Sequence, residues 1–268
     1  MYQMTFQEKL DSAVKKNNSL LCVGLDSDIE KLPAKFRSEK YPQFTFNKWI
    51  VDQTTDLVCA FKPNTAFYEA RGIRGVEELK LTCDYIRTTY PNIPMILDAK
   101  RGDIGNTNRG YVKFAFEYLQ ADAITLQPYP GREALNEFLK ISDKGCIIWC
   151  RTSNPGAGEL QDLKVGNEAF YMILAKKIIN DWNKNGNCML VIGATYPEEL
   201  AEIRKIAGEM TFLVPGIGAQ GGDLKSTMKF GLNSQKKGLI INSSRGIIFS
   251  ESPKMEAEKL RNNINRYR

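Results

Sequence analysis

The sequence contains no histidine. That absence excludes Ser-His-Asp and Cys-His catalysis and any histidine-ligated metal, so proton transfer must fall to Lys, Asp, Glu, Tyr or Cys. Cysteine is sparse and unpatterned. Cys22, Cys59, Cys83, Cys146, Cys150 and Cys188 form no Cys-x-x-Cys pair, and five of the six lie in apolar runs. They read as reduced core thiols of a cytoplasmic protein. No apolar run approaches the ~20 residues needed to cross a bilayer. The first 19 residues carry Glu8 and Asp11 and lack the apolar core of a secretory signal. No linker or compositional break divides the chain. The net charge of +6 is scattered along it, which reads as a solubilising surface and excludes neither a small anion nor a phosphate while giving no stripe for nucleic acid.

What the 268 residues do contain is ordinary for a soluble globular protein, with 43% hydrophobic and 25% charged residues. Short apolar runs recur at 20–26, 57–64, 95–100, 123–128, 146–153, 188–194, 211–215 and 238–245. Between them lie segments of helical period: 46–55, a stretch through Val76 and Ile86 closed by Pro91, 111–119, a stretch around Leu135 and Leu139, 168–184, one starting at Pro197, and 223–230. A helix at 6–16 opens the chain and another from Pro253 closes it. Residues 29–44, with Pro33 and Pro42, have no period and read as an irregular excursion. Continuous apolar strands imply a sheet covered on both faces. Eight strand-helix units predict a (β/α)8 barrel forming a single catalytic domain over 1–268, with an open doubly wound sheet as the alternative.

Barrel enzymes carry their chemistry at the C-terminal ends of the strands. Asp26, Lys62, Asp98 and Lys100 all fall there, and Ser153, Gln220 and Arg245 fall there or in the loops that follow. The densest stretch is Met-Ile-Leu-Asp-Ala-Lys-Arg-Gly-Asp-Ile-Gly-Asn-Thr, from Met95 to Thr107. The two-residue period of a strand puts Asp98 and Lys100 on one side, and Gly102 breaks the strand and frees Asp103. Alone, such a segment would read as a solvated turn. Charges ending three successive strands favour a site, in which carboxylates hold a lysine protonated as a general acid.

Residues 216–221 match Gly-x-Gly-x-x-Gly between a strand and a helix. A dinucleotide fold would use it so. A barrel instead places a phosphate at the loops after its last two strands, where Arg245 can bind it through a guanidinium fork. A phosphomonoester is the better reading, because the strand after the glycines ends in Ser243-Ser244-Arg245 with no acid for a ribose.

Taken in order, Val23-Gly24-Leu25-Asp26, Phe61-Lys62-Pro63-Asn64, the segment from Leu97 to Thr107, Arg151-Thr152-Ser153-Asn154-Pro155-Gly156, Pro215 to Gly222 and Asn242 to Ile247 resemble the orotidine 5′-phosphate decarboxylase family over nearly the whole barrel. The Arg-Thr-Ser-Asn-Pro-Gly form resembles the branch with a longer loop after strand five. The resemblance implies conversion of orotidine 5′-monophosphate to uridine 5′-monophosphate, the last step of de novo UMP synthesis, with no metal and no organic cofactor. It implies a charged tetrad of Lys62, Asp98, Lys100 and Asp103, with Lys100 protonating C6. Asp26 and Lys62 would contact the ribose, and Ser153 the pyrimidine edge. Gln220 with the backbone at Gly218 and Arg245 would contact the phosphate, and Pro215 and Ser244 would also belong to the substrate-binding set. In the family Asp103, Ile104 and Thr107 come from the neighbouring subunit, which implies a homodimer with shared sites. Association with an orotate phosphoribosyltransferase is compatible with the resemblance. Two rival readings stay open: a magnesium-dependent sugar-phosphate enzyme using the same carboxylates, and a non-catalytic nucleotide- or nucleic-acid-binding protein.

Overall fold

Each apolar run becomes a parallel strand in the computed structural model, which describes residues 4–217 and 223–268. The strands are β1 (Leu21–Gly24), β2 (Ala60–Lys62), β3 (Ile96–Arg101), β4 (Ala123–Leu126), β5 (Gly145–Arg151), β6 (Cys188–Ile192), β7 (Phe212–Val214) and β8 (Leu239–Ser243). They form one 8-stranded sheet in the order β2-β1-β8-β7-β6-β5-β4-β3. Parallel bridges Phe61–Met95 and Asn64–Asp98 bring β2 back to β3, so the sheet curls into the (β/α)8 barrel that the continuous apolar strands predict. β1, β2, β4, β6 and β7 are buried at every position, because side chains fill the barrel and helices cover its outside. All six cysteines are reduced and buried, and burial pushes the Cys22 thiol up to about 12. Among the described residues no helix is long and apolar enough to cross a membrane.

Several elements differ from the sequence reading in extent. The helix expected from residue 46 starts at Pro42 and runs to Thr54, since a proline ring is tolerated at the first helical position. The excursion before it is partly ordered as a 3-10 turn, Ile29–Lys31, and a single helical turn, Ala34–Arg37. Phe36 pins that turn by packing 5.2 Å from Phe46 and 5.4 Å from Trp49. The helix expected at 111–119 begins at Gly105, and its second half, Lys113–Tyr118, is π-wound. Its first turn is polar, so no apolar period announces it. The helix expected at 168–184 covers Phe170–Lys177 and continues as a π-turn, Ile178–Trp182. Glu168–Ala169 instead pairs with Lys164–Val165 as a small hairpin in the loop after β5. One further turn of helix, Arg245–Ile248, is too short to register as a period.

Candidate active site

The C-terminal ends of β2 and β3 bring three charges into direct contact. Lys62 Nζ donates to Asp98 Oδ2 at 2.6 Å, and Lys100 Nζ donates to Asp98 Oδ1 at 2.6 Å. The Lys62 side chain is only 4% exposed and that of Asp98 11%, whereas Lys100 at 36% faces the open mouth. Burial alone would push the Asp98 carboxyl up, but the Lys62 and Lys100 charges outweigh it and hold the group well below the usual carboxylate range. For Lys62, burial opposes the charged form, and Asp98 with Asp26 more than restores it, leaving the ammonium above its ordinary value. Lys100 Nζ also lies 5.4 Å from the centre of the Trp149 ring, close enough for a cation–π contact.

Asp26 follows β1 and lines a cavity of about 370 Å³ together with Lys62, Asp98, Pro215, Ser244 and Arg245. Its Oδ1 is buried and has no hydrogen-bond partner among the described residues, and the same holds for Asn242 Oδ1 nearby. Buried acceptors without donors are costly, and a ligand rich in hydroxyls would satisfy them. The turn that carries Asp26 is braced from behind. Tyr68 Oη donates to Leu25 O at 2.8 Å, and Gln43 Nε2 donates to Ser27 O at 2.6 Å and Phe67 O at 3.0 Å. Arg71 Nη1 then ties Gln43 Oε1 to the buried Glu78 carboxylate. Gln43 sits in the segment read as an excursion, so that segment supports the floor under Asp26.

A second cavity of about 240 Å³ shares Lys62, Asp98 and Pro215 with the first and adds Lys100, Thr125, Trp149, Thr152 and Ser153. The two therefore form one cleft across the barrel mouth, polar and charged at its centre. Ser153 reaches it because Gly193 has no side chain: a Cβ there would lie 2.7 Å from Ser153 Cβ and 2.9 Å from its backbone nitrogen. On the opposite wall a Cβ at Gly24 would fall 2.0 Å from Ser244 Oγ, so that hydroxyl also depends on a glycine. The loop beyond β5 is anchored by Arg151, which is 2% exposed. Its guanidinium contacts Asp162 Oδ1 at 2.9 Å and Glu199 Oε1 at 3.5 Å and stacks 4.0 Å from the Tyr196 ring.

Not every residue singled out in the sequence joins this cleft. Arg245 lines its outer end and makes no ion pair with a described residue. Gly218 and Gln220 lie outside the described residues. Asp103 lines neither cavity. One oxygen of its carboxylate accepts from Ile104 N at 2.6 Å, and Asn108 clamps its backbone at both N and O. Ile104, 65% exposed, follows Asp103 directly, and the exposed Thr107 lies in the first turn of the helix that begins at Gly105. Thr125, Trp149 and Asn242 belong to the cleft and were not singled out in the sequence. The signal for Thr125 and Asn242 was a polar residue inside an otherwise apolar strand run.

The profile of the orotidine 5′-phosphate decarboxylase / HUMPS family matches residues 19–260. The chain is 47% identical over 271 residues to the orotidine 5′-phosphate decarboxylase of Cellvibrio japonicus, covering 98% of each chain. It is also 47% identical to that of Azoarcus sp., covering 99% of this chain and 100% of the relative. The solved OMP decarboxylase of Leishmania donovani superposes with a TM-score of 0.88 at 38% identity, covering 98% of this chain and 99% of that one. The UMP synthase of the same organism gives 0.91 at 40% identity, covering 99% of this chain but 57% of that one. With a matching profile across most of its length and full-length relatives at this identity, the chain belongs to the orotidine 5′-phosphate decarboxylase / HUMPS family.

Proposed function

We propose that this chain decarboxylates orotidine 5′-monophosphate to uridine 5′-monophosphate, the closing step of UMP synthesis, and that residues 1–268 act as one catalytic domain. The observation that carries the reading is the Lys62–Asp98–Lys100 ion triplet at the barrel mouth, in a family whose relatives bear that activity in their names. Loss of CO2 breaks the bond from C6 to the carboxylate carbon and leaves its electron pair on C6, in the ring plane, where no ring orbital can delocalise it. Lys100, held against Asp98, stabilises that developing charge and then transfers a proton to it. One charge pair at 4 Å supplies only about 4 kcal/mol at an effective dielectric of 20, whereas the largest enzymatic accelerations require upwards of ~20 kcal/mol. Lys100 therefore acts with remote binding: phosphate on Arg245 with Gln220 and the backbone at Gly218, ribose on Asp26 and Lys62, and the pyrimidine edge on Ser153, with Pro215 and Ser244 lining the same cavity as Arg245.

In the same reading Asp103, Ile104 and Thr107 serve the partner's site in a homodimer, and Asp103 completes the charged tetrad there. The cytoplasm, which keeps thiols such as these six reduced, is the compartment that suits the chain. An orotate phosphoribosyltransferase is a reasonable associate, since the relative described as a UMP synthase is a longer chain of which this one spans 57%.

The magnesium reading fits the donor set poorly, because each Asp98 oxygen already faces an ammonium group and a divalent cation there would meet two positive charges. The deciding experiment follows the ultraviolet absorbance of orotidine 5′-monophosphate in buffer containing a chelator. Conversion to uridine 5′-monophosphate is expected at an undiminished rate; a flat trace with folded protein overturns the reading.

A further inference from the structure

Between Leu97 and Arg101, β3 loses register with its neighbour. Leu97 pairs with Ile124 and Arg101 with Leu126, so Asp98, Ala99 and Lys100 together face the single residue Thr125. The extra length is absorbed partly at Lys100, whose φ of +50° lies in the left-handed region that a side chain rarely adopts. A bulge of this kind deprives a backbone amide of its ladder carbonyl. Here the Lys100 amide donates instead to Thr125 Oγ1 at 3.0 Å, and the same hydroxyl donates its proton to Asp98 Oδ1 at 2.9 Å.

A hydroxyl carries one proton and two lone pairs, so its two bonds have a fixed sense once Asp98 is ionised: the proton goes to the carboxylate and a lone pair to the Lys100 amide. Thr125 is 1% exposed, and water cannot readily replace it. Its β-branched side chain also has few rotamers to choose from. We propose that Thr125 is a positioning residue that sets both the rotation of the Asp98 carboxylate and the strained backbone that aims Lys100 at the cleft. This inference rests on the decarboxylase reading of the site. In it Thr125, 1% exposed at the wall of the cleft, has its hydroxyl committed to Asp98 and the Lys100 amide and acts through those two residues.

The test compares Thr125→Val, which keeps shape and removes the hydroxyl, with Thr125→Ser, which keeps the hydroxyl. Loss of hydrogen bonding to a charged group predicts a fall in kcat of about 10- to 100-fold in Thr125→Val. KM is expected to change by no more than about threefold, because the residues proposed to hold phosphate and ribose are untouched. Thr125→Ser is expected to recover most of the rate. Amide hydrogen exchange at Lys100 gives a second readout that does not depend on turnover: it accelerates in Thr125→Val and stays near the wild-type rate in Thr125→Ser. Should Thr125→Val not fold, Thr125→Ala takes its place with the same expectations. A valine or alanine variant with unchanged kcat and unchanged Lys100 exchange overturns the proposal, and so does a serine variant as impaired as the valine one. Wild-type protein inactive on orotidine 5′-monophosphate would overturn the decarboxylase reading instead, and exchange at Lys100 would still decide the role of the hydroxyl.

Discussion

Lys62 and Lys100 grip opposite oxygens of one carboxylate, each at 2.6 Å, so neither ammonium has Asp98 to itself. The consequence is asymmetric. Removing Asp98 strips the partner from a lysine that is nearly out of water, while removing Lys62 leaves Asp98 still paired with Lys100. Asp98→Ala is expected to destabilise the fold by about 3–5 kcal/mol, the usual result of orphaning a buried charge. Lys62→Met is expected to cost less, and the double variant less than the sum of the two, since both buried charges leave together. Urea unfolding of the three variants checks the order.

The same triplet fixes a pH signature. The Asp98 carboxyl is held below its ordinary value by the two lysines, so its stabilisation is fully present above the unfolded value near ~4 and disappears as pH falls through the lower folded value. Lys62 is held above its ordinary value, so its stabilisation is present below ~10.4 and disappears as pH rises beyond that. Between roughly pH 5 and 9 these two groups contribute a constant amount. Unfolding free energy measured over a pH series is expected to show a shallower acid limb below ~4 in Asp98→Asn than in the parent protein. An acid limb of equal slope would remove Asp98 from the account.

Residues behind the cleft should matter for the ribose. Gln43 joins the turn bearing Asp26 to Phe67 and Arg71, and Gln43→Leu removes all three bonds while keeping similar bulk. The expected cost is about 1–3 kcal/mol of stability from the acceptors left unpaired. If Asp26 reads a ribose hydroxyl, the variant also loses preference for the ribonucleotide over its 2′-deoxy analogue. Comparing kcat/KM for the two substrates tests this, and an unchanged ratio would separate Gln43 from the placement of Asp26.

The barrel was legible because continuous apolar runs ending in charge repeat along the chain, and Asp26, Lys62, Asp98 and Lys100 announced themselves at the strand ends. The same-side placement of Asp98 and Lys100 was predicted from regular alternation, yet the strand is bulged between them and Lys100 is left-handed. Nothing local in Asp-Ala-Lys encodes that; it depends on Thr125 from the next strand. Gln43, Arg71 and Glu78 were hidden for a related reason, since their bonds join residues from 7 to 28 positions apart and have no period to betray them. Polar residues inside apolar runs were the one usable signal that went unread.

Asp103 supplies the last prediction, because its place in the chain and its place in the fold point in different directions. It lies five residues beyond Asp98, yet it lines neither cavity, and its backbone is held by Asn108, which also bonds Ala134 O at 2.6 Å. Beside Asp103, Ile104 is 65% exposed, an apolar side chain that a neighbouring surface would cover. If that surface is a second copy, one active site draws Lys100 from one chain and Asp103 from the other. Lys100→Ala and Asp103→Ala proteins are each expected to be nearly inactive. A hybrid dimer would contain one site carrying both lesions and one carrying neither, so mixing the two with subunit exchange should restore about half the wild-type activity per hybrid. Exchange confirmed by mass-tagged subunits, with activity still absent, would assign Asp103 to its own chain.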